Sequence, residues 1–371
     1  MRDETKILRA TLTPVKAGEP LHAGPVFAGP FHAPGDPTDT YSYARSHNPT
    51  WTALEAAIAL LESGPGHEAQ VRVFGSGMAA CAAVFGAVLR PGDVVVLPSN
   101  AYFMARVLVQ DYFVAMGVTL RMAPAGAAQA ELMEGARLLW LETPSNPTME
   151  ICDIAALCEA AHEAGVLVAV DNTTATPLAQ KPLSFGADFS VASDAKSMSG
   201  HSDLLLGHVA VKDAGLLAKI DRWRTMTGGI VGPMEAWLAL RSLATLPLRL
   251  ERSAANALAL ATFLDARREV ESVLYPGLKT HPGHAIAAGQ MRYFGPVLCF
   301  TLRDKAAAET FLTRAKLVTE ATSFGGVTTT AERRARWGSD DVPGGFIRMS
   351  AGCEAIEDLL EDLEQALEAI D

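Results

Sequence analysis

The chain is short of positive charge. Its 371 residues hold 31 Lys and Arg against 42 Asp and Glu, a formal net charge of −11. No basic field exists to gather phosphates, so neither a nucleic acid nor an anionic membrane surface is an expected partner, and any anion must be held by local donors. Cysteine is sparse and odd in number. Cys81, Cys152, Cys158, Cys299 and Cys353 fall at spacings that match no zinc ribbon, which points to reduced, mostly buried thiols. His201, Asp203 and His208 lie near one another, but their spacing fits no common site, so no metal is expected. No uninterrupted apolar run reaches membrane-spanning length, and the opening MRDETKILRATL carries charge where a signal peptide would carry an apolar core. A cytoplasmic protein is expected.

What is there is small and apolar. Hydrophobic residues make up 49% of the chain and charged ones 20%, enough for a large core and two domains. Residues 1–50, rich in Pro, Gly and Ala, follow no period and read as an arm that orders against another surface. A helix follows in WTALEAAIALLESG, stopped by Gly64 and Pro65. Apolar strands such as DVVVLPS, ARLLWLE, VLVAVD and ADFSVAS then alternate with helices such as MAACAAVFGAVL and DIAALCEAAHEAG. That alternation predicts an α/β fold over residues 51–232, with a mostly parallel sheet covered on both faces. A long helical stretch broken at Pro247, the strand candidates PVLCFTLR and GFIRMSAG, and a terminal amphipathic helix predict a smaller α+β domain over 233–371. The run ERRAR reads as a solvated face or an entrance loop.

Several polar residues sit at strand exits, where ligands of parallel sheets bind. Taken singly, Asp171 after VLVAV reads as a helix cap, and Lys196 after the next strand as a solvated lysine. Together they suggest pyridoxal phosphate chemistry. That cofactor needs a lysine for its aldehyde and an anionic partner to keep its ring nitrogen protonated. The turn Gly75, Ser76, Gly77 precedes an Ala-rich helix and offers N–H groups to a phosphate. Ser193 adds a hydroxyl, and Tyr43 and Arg45 add a phenol and a guanidinium.

The motifs YSYARSHNPTWTALE, SGMAA, ETPSNPT, VAVDNTTATPLAQKPLSFGAD, SDAKSMSGHSD, LATLPLRLERSAANALALATFL and IRMSAGCEAIEDLLEDLEQAL span nearly the whole chain. In them the sequence resembles the Cys/Met-metabolism family of pyridoxal phosphate enzymes, on its cystathionine γ-lyase side. The resemblance implies the fold-type I, aminotransferase-like architecture: a seven-stranded, mostly parallel sheet, a smaller C-terminal domain, and a homotetramer built as a dimer of active dimers. It implies Lys196 as the Schiff-base lysine, Asp171 as partner of the ring nitrogen and Asn146 as a contact of the ring hydroxyl. Gly77, Met78 and Ser193 would hold the phosphate, with Tyr43 and Arg45 reaching the phosphate of the neighbouring subunit. Tyr102 would stack on the ring and exchange protons, while Arg348, with Ser323 beside it, would clamp the substrate α-carboxylate. Arg106 could meet a distal carboxylate of the substrate.

Three positions depart from the family pattern. Ala195 stands where a threonine hydroxyl normally meets phosphate, a loss of about 1 kcal/mol net. YFMAR replaces the usual Tyr-Gly-Gly-Thr loop, and Thr322 replaces a glutamate near the distal end of the substrate. The expected reaction is γ-elimination on cystathionine or a related sulfur amino acid, giving a thiol, 2-oxobutanoate and ammonia. Alternatives are γ-replacement on an O-acylhomoserine, a methionine γ-lyase, and a catalytically weak protein that merely binds the cofactor.

Overall fold

The computed structural model describes residues 1–12, 16–36 and 41–370. Seven strands build the larger sheet: β1 (Gln70–Phe74), β2 (Val94–Pro98), β3 (Thr119–Ala123), β4 (Leu138–Glu142), β5 (Leu167–Asp171), β6 (Phe189–Ala192) and β7 (Gly207–Val211). Their order is β1-β7-β6-β5-β4-β2-β3, with β7 running against the other six. Every residue of β4, β6 and β7 is buried, which explains why these strands read as continuous apolar runs rather than alternating ones. On one face the Phe85 and Trp140 rings pack at a 39° tilt with centroids 4.7 Å apart. The fold is the expected α/β architecture.

The first three helices are α1 (Asp3–Ala10), α2 (Pro49–Glu62) and α3 (Gly77–Val88). The Asn48 side chain caps α2 by accepting the Thr50 N–H at 2.9 Å, and Pro49 occupies the first turn, where its missing N–H costs nothing. Ser76 caps α3 in the same way through Ala79 N–H at 3.0 Å. A Cβ at Gly77 would lie 2.5 Å from Cβ of Ser193, so only glycine lets the start of α3 meet the exit of β6.

The second sheet comprises β8 (Val270–Leu274), β9 (Val297–Leu302), β10 (Thr319–Glu320), β11 (Thr330–Arg333) and β12 (Phe346–Ser350), in the order β10-β11-β12-β9-β8. The long helical stretch is two helices, Pro233–Leu243 and Leu246–Asp265. The break falls just before Pro247, because proline is tolerated in a first turn and not in an interior. The first helix packs its Ala236, Ala239 and Leu243 against Leu54 and Ile58 of α2. The second gives Leu246 and Leu250 to that same core, and Leu260 and Leu264 to the core under the second sheet. Among the described residues no helix is long and apolar enough to cross a membrane.

One expectation holds only in part. In ERRAR, Arg336 is exposed, but Glu332 and Arg333 end β11 and Arg334 opens a short 3-10 helix, Arg334–Trp337, all three of them buried rather than solvated. These charges satisfy one another across the chain, and burial by mutual pairing leaves no apolar pattern to read.

Candidate active site

The carboxyl ends of β1, β4, β5 and β6 converge on a cleft of about 510 Å³, closed on its other side by β11, β12 and the segment before them. Asp171, the last residue of β5, forms its floor, and its Oδ1 accepts the Thr173 N–H at 3.0 Å. Burial raises the Asp171 carboxyl above its ordinary value, against the opposing hydrogen bonds from Thr173 and the charges of His208 and Lys196. Glu142 ends β4 directly beside it in register. Its oxygens accept the N–H groups of Asn146 at 2.7 Å and Tyr102 at 2.9 Å. Burial first, and the charge of Asp171 second, push the Glu142 carboxyl well up.

Lys196 projects into the cleft from the turn after β6, and its Nζ donates to Ser323 Oγ at 2.6 Å. Burial and the Arg348 charge bring its ammonium down from 10.5 to about 8, while Glu332 and Asp171 oppose them. Free amine is therefore far more available near neutral pH than on an ordinary lysine, as a nucleophilic lysine requires. At one end of the cleft lie Gly77 and Met78, whose N–H groups open α3 and have no carbonyl behind them within the helix, together with Ser193. Ser193 is itself fixed by its N–H bond to Thr173 Oγ1 at 2.8 Å.

At the other end is Arg348 of β12, 4% exposed. It donates to Asn146 Oδ1 at 2.6 Å, to Ser323 carbonyl oxygen at 2.9 Å, and to Glu332 Oε1. Glu332 also accepts from Arg334 at 2.8 Å and from Trp337 Nε1 at 2.9 Å, and Arg334 is bound in turn to Asp340. Burial pulls the Arg348 guanidinium down and Glu332 holds it up. Tyr102 lines the cleft from the position just before the short helix that begins at Phe103, and burial raises its phenol.

The structure thus brings Lys196, Asp171, Tyr102, Asn146, Gly77, Met78, Ser193, Arg348, Ser323 and Thr322 to one cleft. Three expected residues do not line it. Tyr43 is 51% exposed, and Arg45 lies over its ring at 5.7 Å while donating to Thr225 carbonyl oxygen at 2.6 Å. Arg106 sits behind the wall, where its charge acts on Glu142. Sequence reasoning missed Glu142, Phe324, Glu332, Arg334 and Trp337, which also line the cleft. Glu142 ends an apolar strand as Asp171 does, so the same signal was available for it.

A family model of the Cys/Met metabolism PLP-dependent enzymes matches residues 27–368. The chain belongs to that family. Among relatives of these pyridoxal phosphate enzymes, a Streptomyces coelicolor protein provisionally named cystathionine γ-lyase is 52% identical, covering 99% of this chain and 93% of that one. The cystathionine γ-synthase of Mycobacterium tuberculosis is 40% identical, covering 94% and 91%. Among solved structures, metB from Corynebacterium glutamicum superposes with a TM-score of 0.95 at 35% identity, covering 100% and 99%. The cleft fits the family's cofactor by its donor set: free helix N–H groups for a phosphate, a lysine of lowered basicity for an aldehyde, and a buried carboxylate for a ring nitrogen.

Proposed function

We propose that this member of the family catalyses γ-elimination on cystathionine or a related sulfur amino acid, consuming one water and releasing cysteine or another thiol, 2-oxobutanoate and ammonia. The observation that carries the reading is the half-buried Lys196, set between the Asp171 carboxyl and the Arg348 guanidinium. Bound pyridoxal phosphate supplies the electron sink that makes the substrate Cα acidic. Lys196 would anchor it, and the free Lys196 amine would take the proton from the substrate Cα. Asp171 would keep a proton on the ring nitrogen, and Asn146 would face the ring hydroxyl. Gly77, Met78 and Ser193 would hold the phosphate through the start of α3. Arg348 would grip the α-carboxylate beside Ser323, while Tyr102 would lie against the ring and share with Lys196 the delivery of a proton to the leaving sulfur. Thr322 and Arg106 act toward the distal end.

Tyr43 and Arg45, outside their own cleft, reach the phosphate of a neighbouring subunit. On this reading the enzyme is a cytoplasmic homotetramer, a dimer of active dimers, divided into an arm (1–50), a cofactor domain (51–232) and a C-terminal domain (233–371). The γ-synthase relative at 40% identity favours a second reading, in which a thiol intercepts the same substrate skeleton and γ-replacement results. Incubation with cystathionine, methionine, homocysteine, or O-succinylhomoserine plus cysteine, with assays for 2-oxobutanoate and thioether, decides between them. Thioether formed without 2-oxobutanoate would overturn elimination.

A further inference from the structure

On the reverse face of the larger sheet lies a second cluster of charges. Asp171, Val191 and Val209 stand in one row across β5, β6 and β7, so Ser190 and His208, each one residue removed, point to the opposite face. There His208 Nδ1 is 2.8 and 3.0 Å from the two oxygens of Asp194, and its Nε2 is 3.0 Å from Glu62 Oε1. Ser190 Oγ donates to the same Glu62 oxygen at 2.8 Å. All four residues are buried. With a carboxylate at each ring nitrogen, only the imidazolium satisfies both. Burial pulls its pKa down, yet Asp194 and Glu62 together bring it up to about 10. Both nitrogens are taken, and among the described residues no group is arranged to hold a metal ion.

The cost of this arrangement is plain. Glu62 is the last residue of α2, where the helix dipole disfavours a negative charge, although Lys181 relieves that end by donating to the carbonyls of Leu61 and Ser63 at 2.6 and 2.7 Å. Apolar residues of similar volume generally stabilise a fold as well as a buried ionic triad does. What the triad adds is direction. Asp194 is the root of the turn that bears Lys196: its N–H donates to Leu206 carbonyl oxygen at 2.9 Å, and its own carbonyl accepts Ser199 N–H at 3.0 Å. Arg249 tethers the crest of the same turn through the carbonyls of Ser197 and Met198.

We propose that Glu62, His208 and Asp194 form a positioning triad that fixes the Lys196 turn to α2 and so sets the approach of the lysine amine to the cofactor aldehyde. The role rests on Lys196 being the anchoring residue. The test uses protein stripped of cofactor and mixed with pyridoxal phosphate, following the absorbance of the lysine–cofactor linkage. His208→Gln and Asp194→Asn should form that linkage at least about ten-fold more slowly than the parent. Non-covalent cofactor affinity, measured in the Lys196→Ala background with and without each substitution, should change by less than about three-fold. Linkage at the parental rate overturns the proposal, as do equal losses in rate and affinity, which mark a merely structural role. Asp194→Asn keeps a hydrogen-bonding side chain at the root of the turn and carries the test should His208→Gln, which strands two buried carboxylates, not fold. If the linkage absorbance forms in Lys196→Ala, the anchor assignment itself falls and the triad proposal with it.

Discussion

The two walls of the cleft use charge in opposite ways. Among the described residues, the wall built from the larger sheet leaves its ionisable groups without a salt-bridge partner: burial raises the Asp171 and Glu142 carboxyls and lowers the Lys196 ammonium, each toward its neutral form. The wall built from the second sheet pairs its groups in a row, Arg348 to Glu332 to Arg334 to Asp340, each beside an opposite charge. Proton transfer needs the first condition and carboxylate recognition the second. The difference is a division of labour between a wall that reacts and a wall that holds.

The largest effect comes from removing the reactive wall's lysine. Lys196→Ala should lower turnover by about 10⁴-fold or more and abolish fixation of the cofactor by borohydride. Turnover within about ten-fold of the parent, or label on another lysine, removes the residue from its role. Asp171→Asn should retain cofactor and lose about 10²- to 10³-fold in kcat, since an amide cannot hold the ring proton. Equal losses in cofactor affinity and kcat would instead mark a site that has come apart.

On the holding wall the effect should appear first in stability. Glu332→Gln strands Arg348 without a counter-charge and leaves Arg334 with Asp340 alone, and should cost about 3 kcal/mol in denaturant unfolding. A cost below about 0.5 kcal/mol would show that the pairing is dispensable. The smallest effect crosses the cleft. Arg348 holds the Lys196 ammonium down, so Arg348→Met should move the pH midpoint for capture of cofactor by the free lysine upward from about 8. Glu332→Gln, which removes a charge that holds it up, should move the midpoint downward, each shift being below about one unit. Sign is the discriminating readout: shifts in the same direction would mean that the two walls do not sense each other's charge.

The reactive wall was legible in the sequence because isolation leaves a local signature, a single polar residue closing an apolar strand, as at Asp171, or a lysine just beyond one. The holding wall was legible only at Arg348. Glu332 and Arg334 owe their burial to partners that the chain supplies 16 and 6 residues away, respectively, and no period in the sequence reports such a pairing. Glu142 had the signature and was passed over. The positions of Tyr43 and Arg45 follow from neither pattern, since nothing within one chain draws them to a cleft.

The helix Leu246–Asp265 buries its first turns in one core and its last turns in the other, and from it Arg249 reaches the turn that bears Lys196. Melting either sheet would strip half of that helix of its apolar contacts while the other half is still packed. Partial unfolding is therefore expected to spread through the helix instead of stopping between the sheets, and the reacting and holding walls should be lost in a single heat-absorption peak. A chain whose two walls must face each other within hydrogen-bonding distance to work has no use for a state in which only one of them survives.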